Sequence, residues 1–181
     1  MSDAKGLMEQ FQDREWGAAQ LSEVSLFGSF SEPELRELYG VGRLVRLRSK
    51  THVVVEGEPT RGLYILLHGT VSVYKSDPAT DKMIRLTMLD EGASFGEMSL
   101  FDTAPRSATV VAESTCYLFQ LDADRFQEYL ADQGNALELR FYRVCAEYLA
   151  ERFRSLNSDY LESQKLLWQH ALRRSDEEEA S

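Results

Sequence analysis

The sequence predicts an α+β fold in which an antiparallel β-roll, similar to a jelly roll, is flanked by N-terminal and C-terminal helices. Two observations carry this prediction. Between Leu44 and Leu121 the apolar residues repeat with a period near 2, in short β-rich runs separated by Gly, Pro, Asp and Ser clusters. On both sides of this region the period is near 3.6, which is typical of amphipathic helices. Many short strands at this spacing indicate a barrel or sandwich, and we expect a β-roll.

The N-terminal region is expected to be helical. Residues 3–21 carry a modest apolar stripe among charged residues: Leu7, Met8, Phe11 and Ala18. A second helix is predicted to begin after Ser31, because the sequence SEPE offers a capping box between Ser31 and Glu34 and confines Pro33 to the first turn. We place the boundary between an N-terminal extension, 1–21, and the central domain, 22–156, between these helices.

The predicted strands follow in chain order. Each is a short run of β-branched, aromatic and aliphatic residues bounded by turn residues. The runs are LVRL, THVVVE, GLYILL, TVSVYK, MIRLTML, SATVVA and CYLFQL.

After Leu121 the pattern becomes helical again. Asp122 is the predicted cap of a short helix, and a longer helix is predicted from about Asn135 to Leu156. The short helix contains Phe126, Tyr129 and Leu130, and the apolar stripe of the long one contains Leu137, Phe141, Val144, Cys145, Tyr148, Leu149, Phe153 and Leu156. This stripe is wider than packing on a roll requires, so part of it is expected to face a second surface.

The last predicted segment is 157–181, a C-terminal helix and an acidic tail. Asn157, Ser158 and Asp159 are compatible with a break in the helix or with a polar face. Residues 160–172, with Leu161, Leu167 and Trp168, either contact a partner or fold back onto the roll. The final run, SDEEEAS, is expected to be disordered.

Composition and charge exclude several classes of function. With 20 basic and 30 acidic residues among 181, the formal net charge is -10. This charge repels a phosphate backbone at long range, so we expect no nucleic-acid partner. Cys116 and Cys145 lie in apolar runs without a CxxC pattern, which indicates buried thiols and a reducing compartment. Without a signal-peptide pattern or a run of about 18 apolar residues, the sequence predicts a cytoplasmic protein with no membrane partner.

The stretch FGEMSLFDTAPRSATV, residues 95–110, contains the candidate ligand-binding residues. A helical turn after Gly96 would present backbone N–H groups to an anion, and Gly96 allows close backbone approach. Arg106 can return over this turn and, with the Ser107 hydroxyl and nearby N–H groups, suits a singly charged phosphate. Glu97 repels a phosphate and instead needs a donor, such as a ribose hydroxyl.

This stretch resembles the phosphate-binding cassette of cyclic nucleotide-binding domains, as in the regulatory subunit of cAMP-dependent protein kinase, catabolite activator protein and cyclic-nucleotide-gated channels. EGEPTRGLYILLHGTVSVY, at 56–74, resembles the early strands of that family, and SLFGSFSEPELREL, at 25–38, resembles its helical lead-in. The resemblance covers about residues 22–155 and implies a β-roll that binds a cyclic nucleotide. We call residues 95–110 the cassette.

The resemblance also implies roles for individual residues. Glu97 would take the ribose 2′-hydroxyl, and Arg106 and Ser107 would take the cyclic phosphate. Backbone of Gly96, Met98, Ser99 and Ala108 would line the cassette. Thr87 and Leu89 would line the base pocket, although core packing explains them equally well. The ligand is expected to be cAMP or cGMP, with a slight preference for cAMP, and no metal or other cofactor is implied.

Three other interpretations remain open. A cupin-like metal-dependent enzyme would also be a β-roll and would use His52, Glu56 and His68 as ligands, but the sequence has no HxH pair. A degenerate family member would bind no nucleotide and act as an interaction module. A transcription factor would need a basic recognition helix, whereas the end of this chain is acidic. We therefore expect a non-enzymatic sensor whose C-terminal helix moves on binding and contacts an unidentified protein or forms a homodimer.

Overall fold

The structure is a computed structural model and describes residues 2–59 and 62–179. The chain divides into two compact units, Met1–Phe141 and Tyr142–Ser181. Within the described residues, none of the helices combines the length and the hydropathy of a membrane span. Thr60 and Arg61, which belong to the predicted early-strand motif, lie outside the described residues. The predicted boundaries at residues 21 and 156 stay predictions.

The N-terminal stretch forms two helices where one helical pattern was expected. α1 is Ser2–Gln12 and α2 is Arg14–Ser22. The division lies at Asp13, whose extended backbone ends α1 and whose carboxylate accepts hydrogen bonds from the N–H groups of Glu15 and Trp16 at 2.8 and 3.3 Å. A polar side chain that satisfies the first N–H groups of a helix favours a new start there.

The helix α3, Glu32–Val41, confirms the predicted capping box. The Glu34 carboxylate accepts a hydrogen bond from the N–H of Ser31 at 2.7 Å, and Pro33 lies in the first turn. Burial opposes ionisation of Glu34, but the hydrogen bonds from Ser31 and Arg140 outweigh it and lower the pKa of Glu34. The Tyr39 hydroxyl donates to the Phe11 carbonyl at 2.7 Å and so ties α3 to α1.

The central region forms an antiparallel β-roll of two four-stranded sheets, as predicted. One sheet has the order β1-β8-β3-β6 and the other the order β2-β7-β4-β5. The strands are β1 Arg43–Leu47, β2 His52–Val54, β3 Gly62–His68, β4 Val71–Ser76, β5 Met83–Leu89, β6 Ser94–Phe95, β7 Thr109–Ala112 and β8 Cys116–Asp122. All predicted runs are strands, and the two-residue β6 is the addition.

The core lies where the inward faces of the two sheets meet. Alternate residues of a strand point to the same face. The strands differ in burial, because β3 is buried on both faces whereas β5 is largely exposed. The buried members of this cluster come from both sheets and are Val54, Tyr64, Leu66, Val71, Phe95, Val110, Ala112, Cys116 and Leu118. Cys116 and Cys145 are both buried free thiols, as expected, and burial raises the pKa of Cys145 to about 11.

The helix α4, Ala123–Gln133, begins at the predicted cap. The Asp122 carboxylate accepts hydrogen bonds from the N–H groups of Asp124 and Arg125 at 3.0 and 3.2 Å. The ring of Phe126 lies 4.8 Å from that of Phe141 and 5.9 Å from that of Phe27, between ring centroids. This aromatic cluster joins the N-terminal and C-terminal helices of the first unit.

The last helix, α5, is continuous from Asn135 to Glu179, a length of 45 residues. Asn157, Ser158 and Asp159 therefore do not break it, because a helix tolerates polar residues of modest propensity when neither Gly nor Pro interrupts it. The acidic residues up to Glu179 are helical, so the expected disorder is wrong for them, and Ala180 and Ser181 lie outside the described residues.

The predicted stripe of α5 is buried at its start and exposed further along. Leu137, Phe141 and Cys145 are buried, whereas Phe153 and Leu156 are both 64% exposed. The second unit consists of α5 from Tyr142 onward.

We predict that Phe126→Ala lowers the free energy of unfolding by about 3–5 kcal/mol, because it leaves a cavity among buried rings. Glu128→Ala, on the exposed face of the same helix, should change it by less than about 0.5 kcal/mol. Urea unfolding followed by circular dichroism measures both. Equal losses for the two variants would contradict the packing role of Phe126.

Candidate functional site

The cassette connects the two sheets of the roll. It begins at β6, which pairs with β3 through Phe95 opposite Tyr64, and it ends in β7, which pairs with β2 and β4. Between them, Glu97–Leu100 forms the predicted helical turn as a 3₁₀ helix, and a segment without regular secondary structure leads to Arg106. Both ends of the cassette are thus held by strand pairing.

Gly96 allows the sharp entry into this turn. Its backbone is left-handed, with φ 80° and ψ 15°, a conformation that L side chains rarely adopt. A Cβ at this position would lie 2.5 Å from Nη1 of Arg106 and 2.7 Å from the carbonyl oxygen of Gly62. The backbone here approaches Arg106 as closely as a glycine permits.

Arg106 folds back over the turn, as the sequence predicts. Its Nη1 donates to Oγ of Ser99 at 3.0 Å, and its Nη2 donates to the carbonyl of Gly62 at 2.9 Å. The backbone of Arg106 is held by the turn at residues 57 and 58. Its N–H donates to the carbonyl of Glu58 at 3.0 Å, and its carbonyl accepts from the N–H of Gly57 at 2.9 Å. Arg106 is only 6% exposed, so backbone and side chain are both fixed.

An aromatic ring lies beside the guanidinium of Arg106, and burial and nearby groups act on its pKa. Its guanidinium lies 5.6 Å from the ring centroid of Tyr64, which stacks on Phe95 at 5.3 Å with 9° between the planes. Burial lowers the pKa of Arg106, while Tyr64 and the charge of Glu97 act in the opposite direction. Burial likewise raises the pKa of Tyr64, against the charge of Arg106. Arginine keeps its charge in such surroundings, and the site therefore holds a buried cation beside a neutral phenol.

The other residues of the predicted cassette lie around this cation. Glu97 is half-buried, Met98 is 46% exposed, and Ser99 is buried with its hydroxyl toward Arg106. Ser99 was expected to contribute through its backbone, and its side chain is an addition. Ser107 is exposed and Ala108 half-buried, immediately before β7. Their roles toward a nucleotide stay predictions.

Thr87 and Leu89, the predicted base-pocket residues, lie on β5 beside β4. Thr87 pairs with Val73 and Leu89 with Val71. Thr87 is exposed and donates through Oγ1 to the carbonyl of Met88 at 3.2 Å. Leu89 packs against the core cluster, which fits the core-packing alternative for that residue.

Sequence reasoning missed two residues of this site. Tyr64 lies under Arg106, and Nζ of Lys75 donates to the carbonyl of Ser107 at 2.6 Å. Both come from strands distant in sequence. One feature of the sequence could have indicated Lys75. It follows Val71 and Val73 at alternate positions of β4, so a charge interrupts an apolar face there.

The residues of the cupin alternative do not come together. His52 lies on β2 and His68 on β3, in different sheets. The carboxylate of Glu56 is 2.6 Å from Nζ of Lys75, and Nδ1 of His68 is 3.2 Å from the carboxylate of Glu91. In residues 2–59 and 62–179, no group of three His, Cys, Asp or Glu side chains has the arrangement of a metal site.

Comparison with known proteins identifies similar sequences. A family model described as cyclic nucleotide-binding domain matches residues 44–133. Glutaminase 1 of Bradyrhizobium diazoefficiens is 31% identical over 133 residues, 74% of this chain and 21% of the glutaminase. The cAMP-dependent protein kinase regulatory subunit of Yarrowia lipolytica is 31% identical over 107 residues, 59% of this chain and 27% of the subunit. The chain thus spans between a fifth and a third of the length of these two relatives.

A solved structure shares the fold. The N-terminal domain of a transcriptional regulator from Streptomyces coelicolor has a TM-score of 0.65 and 26% identity. The alignment covers 71% of this chain and 90% of that domain.

We predict that Gly96→Ala destabilises the fold more than Gly92→Ala. Both glycines have a positive φ, 80° and 88°, so each alanine carries the same backbone strain of about 1–2 kcal/mol. An added Cβ at Gly92 meets nothing within 4 Å, whereas at Gly96 it meets Arg106 and Gly62. Thermal unfolding of the two variants measures the difference, and equal melting temperatures would contradict the close approach at Gly96.

Proposed function

Through residues 44–133 this chain belongs to the cyclic nucleotide-binding domain family, and we propose that it is a sensor that binds cAMP or cGMP at the cassette and signals through α5. The nucleotide binds reversibly between Glu97 and Arg106 and is not hydrolysed. The binding event is passed to a second copy of the chain.

The burial of Arg106 is the observation that carries this proposal. A cation that is 6% exposed has lost most of its hydration, and Ser99 and Gly62 give it two neutral acceptors, a hydroxyl and a carbonyl. An incoming phosphodiester would add a charge-assisted bond to this guanidinium, and such a bond is stronger in surroundings of low polarity. The site therefore favours a small anion over a neutral ligand.

Glu97 adds a requirement for a hydroxyl donor. It lies one residue after Gly96 and interacts electrostatically with Arg106, so an anion bound by Arg106 is close to a carboxylate. Two anions repel, whereas a ribose 2′-hydroxyl donates to the carboxylate. A cyclic nucleotide carries one phosphodiester charge and one free ribose hydroxyl a short distance apart, which satisfies both residues.

The cassette supplies groups that can bind the phosphate, and we assign none of these groups to cleavage of the phosphodiester. Hydrolysis of a phosphodiester needs an activated water, from a metal or a general base. Arg106 and the nearby N–H groups instead stabilise the negative charge of the intact ligand. The name of the Yarrowia relative favours cAMP over cGMP as the first ligand to test.

The exposed face of α5 supports a homodimer as the means of output. Apolar residues recur along it at steps of seven, four, three and four: Tyr142, Leu149, Phe153, Leu156 and Tyr160. We call these five residues the α5 seam. Alternate steps of three and four are typical of a coiled coil, in which each side chain packs into a hole on a second helix. Among the residues of the same helix whose burial the structure describes, Leu137, Phe141 and Cys145 are buried, and they lie outside the seam.

A second copy of this chain is the partner that fits the α5 seam best. Two identical helices related by two-fold symmetry bring like seam positions together along their length. Leu161 and Trp168, which the sequence singles out for a partner contact, are 59% and 69% exposed but lie off the seam. They are exposed apolar residues of the same helix and therefore serve as controls for substitutions in the seam.

Binding of the nucleotide is tested by calorimetry with cAMP and with cGMP. We predict that Arg106→Gln weakens binding by about 2–5 kcal/mol, tens to thousands of fold, because it removes the buried cation. Glu97→Gln keeps the shape and should weaken binding by about 1.5–3 kcal/mol through loss of the charged acceptor. Arg48→Gln, an exposed arginine after β1, is the control and should bind as the wild type does.

The same samples test the absence of hydrolysis and the fold. Chromatography after incubation should recover intact cyclic nucleotide, and linear monophosphate would contradict a binding role. Thermal unfolding identifies any variant whose loss of binding reflects misfolding. Wild-type affinity in both Arg106→Gln and Glu97→Gln would exclude the cassette as the binding site.

The homodimer is tested by light scattering over a range of concentrations, with and without cAMP. We predict that Phe153→Asp and Leu156→Asp give monomers, because each places a charge in the α5 seam. Leu161→Asp replaces a side chain of similar exposure off the seam and should leave the dimer intact. A wild-type monomer at every concentration in both ligand states would exclude the homodimer and leave a different protein as the partner.

A further inference from the structure

A charged bridge lies beside the cassette and is separate from the cation at Arg106. Nζ of Lys75 is 2.6 Å from the carbonyl oxygen of Ser107 and 2.6 Å from Oε1 of Glu56. Oε2 of the same Glu56 accepts a hydrogen bond from the N–H of Ser76 at 2.9 Å. We call Glu56, Lys75 and the Ser107 carbonyl the Lys75 bridge.

The Lys75 bridge lies just beyond the paired part of the sheet. Pairing between β4 and β7 extends to Tyr74 opposite Thr109, and β7 begins at Thr109. Residues 107 and 108 therefore lie outside that ladder. Further along β4, backbone hydrogen bonds connect this strand to β7. At residues 107 and 108 the side chain of Lys75 makes the connection instead.

A bond to the Ser107 carbonyl also determines the direction of the next N–H group. The carbonyl of Ser107 and the N–H of Ala108 belong to one planar peptide unit, and the chain contains no cis peptide bond within its described residues. In a trans peptide the two groups point in opposite directions. When Lys75 holds the carbonyl on its own side, the N–H of Ala108 points to the other side.

We propose that Lys75 is a positioning residue for anion binding: it holds the Ser107–Ala108 peptide so that the Ala108 N–H is presented to the phosphate bound by Arg106. Glu56 keeps Lys75 in place, because its second oxygen is anchored on the backbone of β4. This inference rests on the proposed function and adds to it a determinant of affinity that contacts no ligand atom.

The charge of Glu56 distinguishes positioning from simple attraction. If Lys75 acted on the phosphate only through its charge, neutralising Glu56 would increase the local positive potential and strengthen binding. If Lys75 acts by holding the peptide, neutralising Glu56 loosens Lys75 and weakens binding. The hydrogen bond from Lys75 and that from Ser76 lower the pKa of Glu56, so its carboxylate is ionised at neutral pH.

The experiment compares variants of this chain by calorimetry with cAMP. Lys75→Met, which keeps the length without the charge or the donors, should weaken binding by about five- to tenfold. Lys75→Arg should restore most of the affinity, and Glu56→Gln should weaken binding rather than strengthen it. Lys50→Met is the matched control, because Lys50 also forms an ion pair, with Glu113, but lies at the opposite end of β7.

A second measurement requires no nucleotide. The amide nitrogen of Ala108 reports hydrogen bonding at the preceding carbonyl, so its chemical shift should change in Lys75→Met and in Glu56→Gln but not in Lys50→Met. Unchanged affinity or an unchanged Ala108 resonance in Lys75→Met would overturn the role of Lys75, as would tighter binding in Glu56→Gln. A wild type that binds neither cAMP nor cGMP would instead remove the proposed function and, with it, this role.

Discussion

The buried guanidinium of Arg106 is the interaction on which the arrangement of the site depends. It reaches from the segment before β7 to Ser99 and to Gly62 at the start of β3, so one side chain connects parts of both sheets. Gly96 must lack a Cβ because this cation occupies the space beside it. Removing a charge from water is costly unless polar groups replace the water, and the turn from Gly96 to Leu100 is shaped to do so.

The guanidinium of Arg106 is a local positive charge in an acidic chain. The net charge of -10 is distributed over an exposed surface, where water and salt screen it. Arg106 is screened far less because it is buried against the ring of Tyr64. Local potential at the cassette is therefore set by a few fixed groups rather than by the total charge.

The helix α5 differs from the roll because part of its apolar face is exposed. Leu137, Phe141 and Cys145 are buried, yet Leu149, Phe153 and Leu156 are apolar and exposed. A helix stabilised by tertiary packing along one part needs another surface for an apolar face further along, since exposed patches of this kind mark contacts with other chains.

The sequence by itself determined the local structure: the strand runs with a period of 2, the capping box of Ser31 and Glu34, the cap at Asp122 and the helical turn after Gly96. These features depend on residues a few positions apart, so they are encoded locally. It also carried the motif by which the family is recognised. The polar residues at 157–159 left the continuity of α5 open, and the structure shows one helix there. Only the tertiary structure decided that Tyr64 and Lys75 join Arg106 and Ser107. Contacts of such separation exist only once both sheets have paired, and no local pattern specifies them.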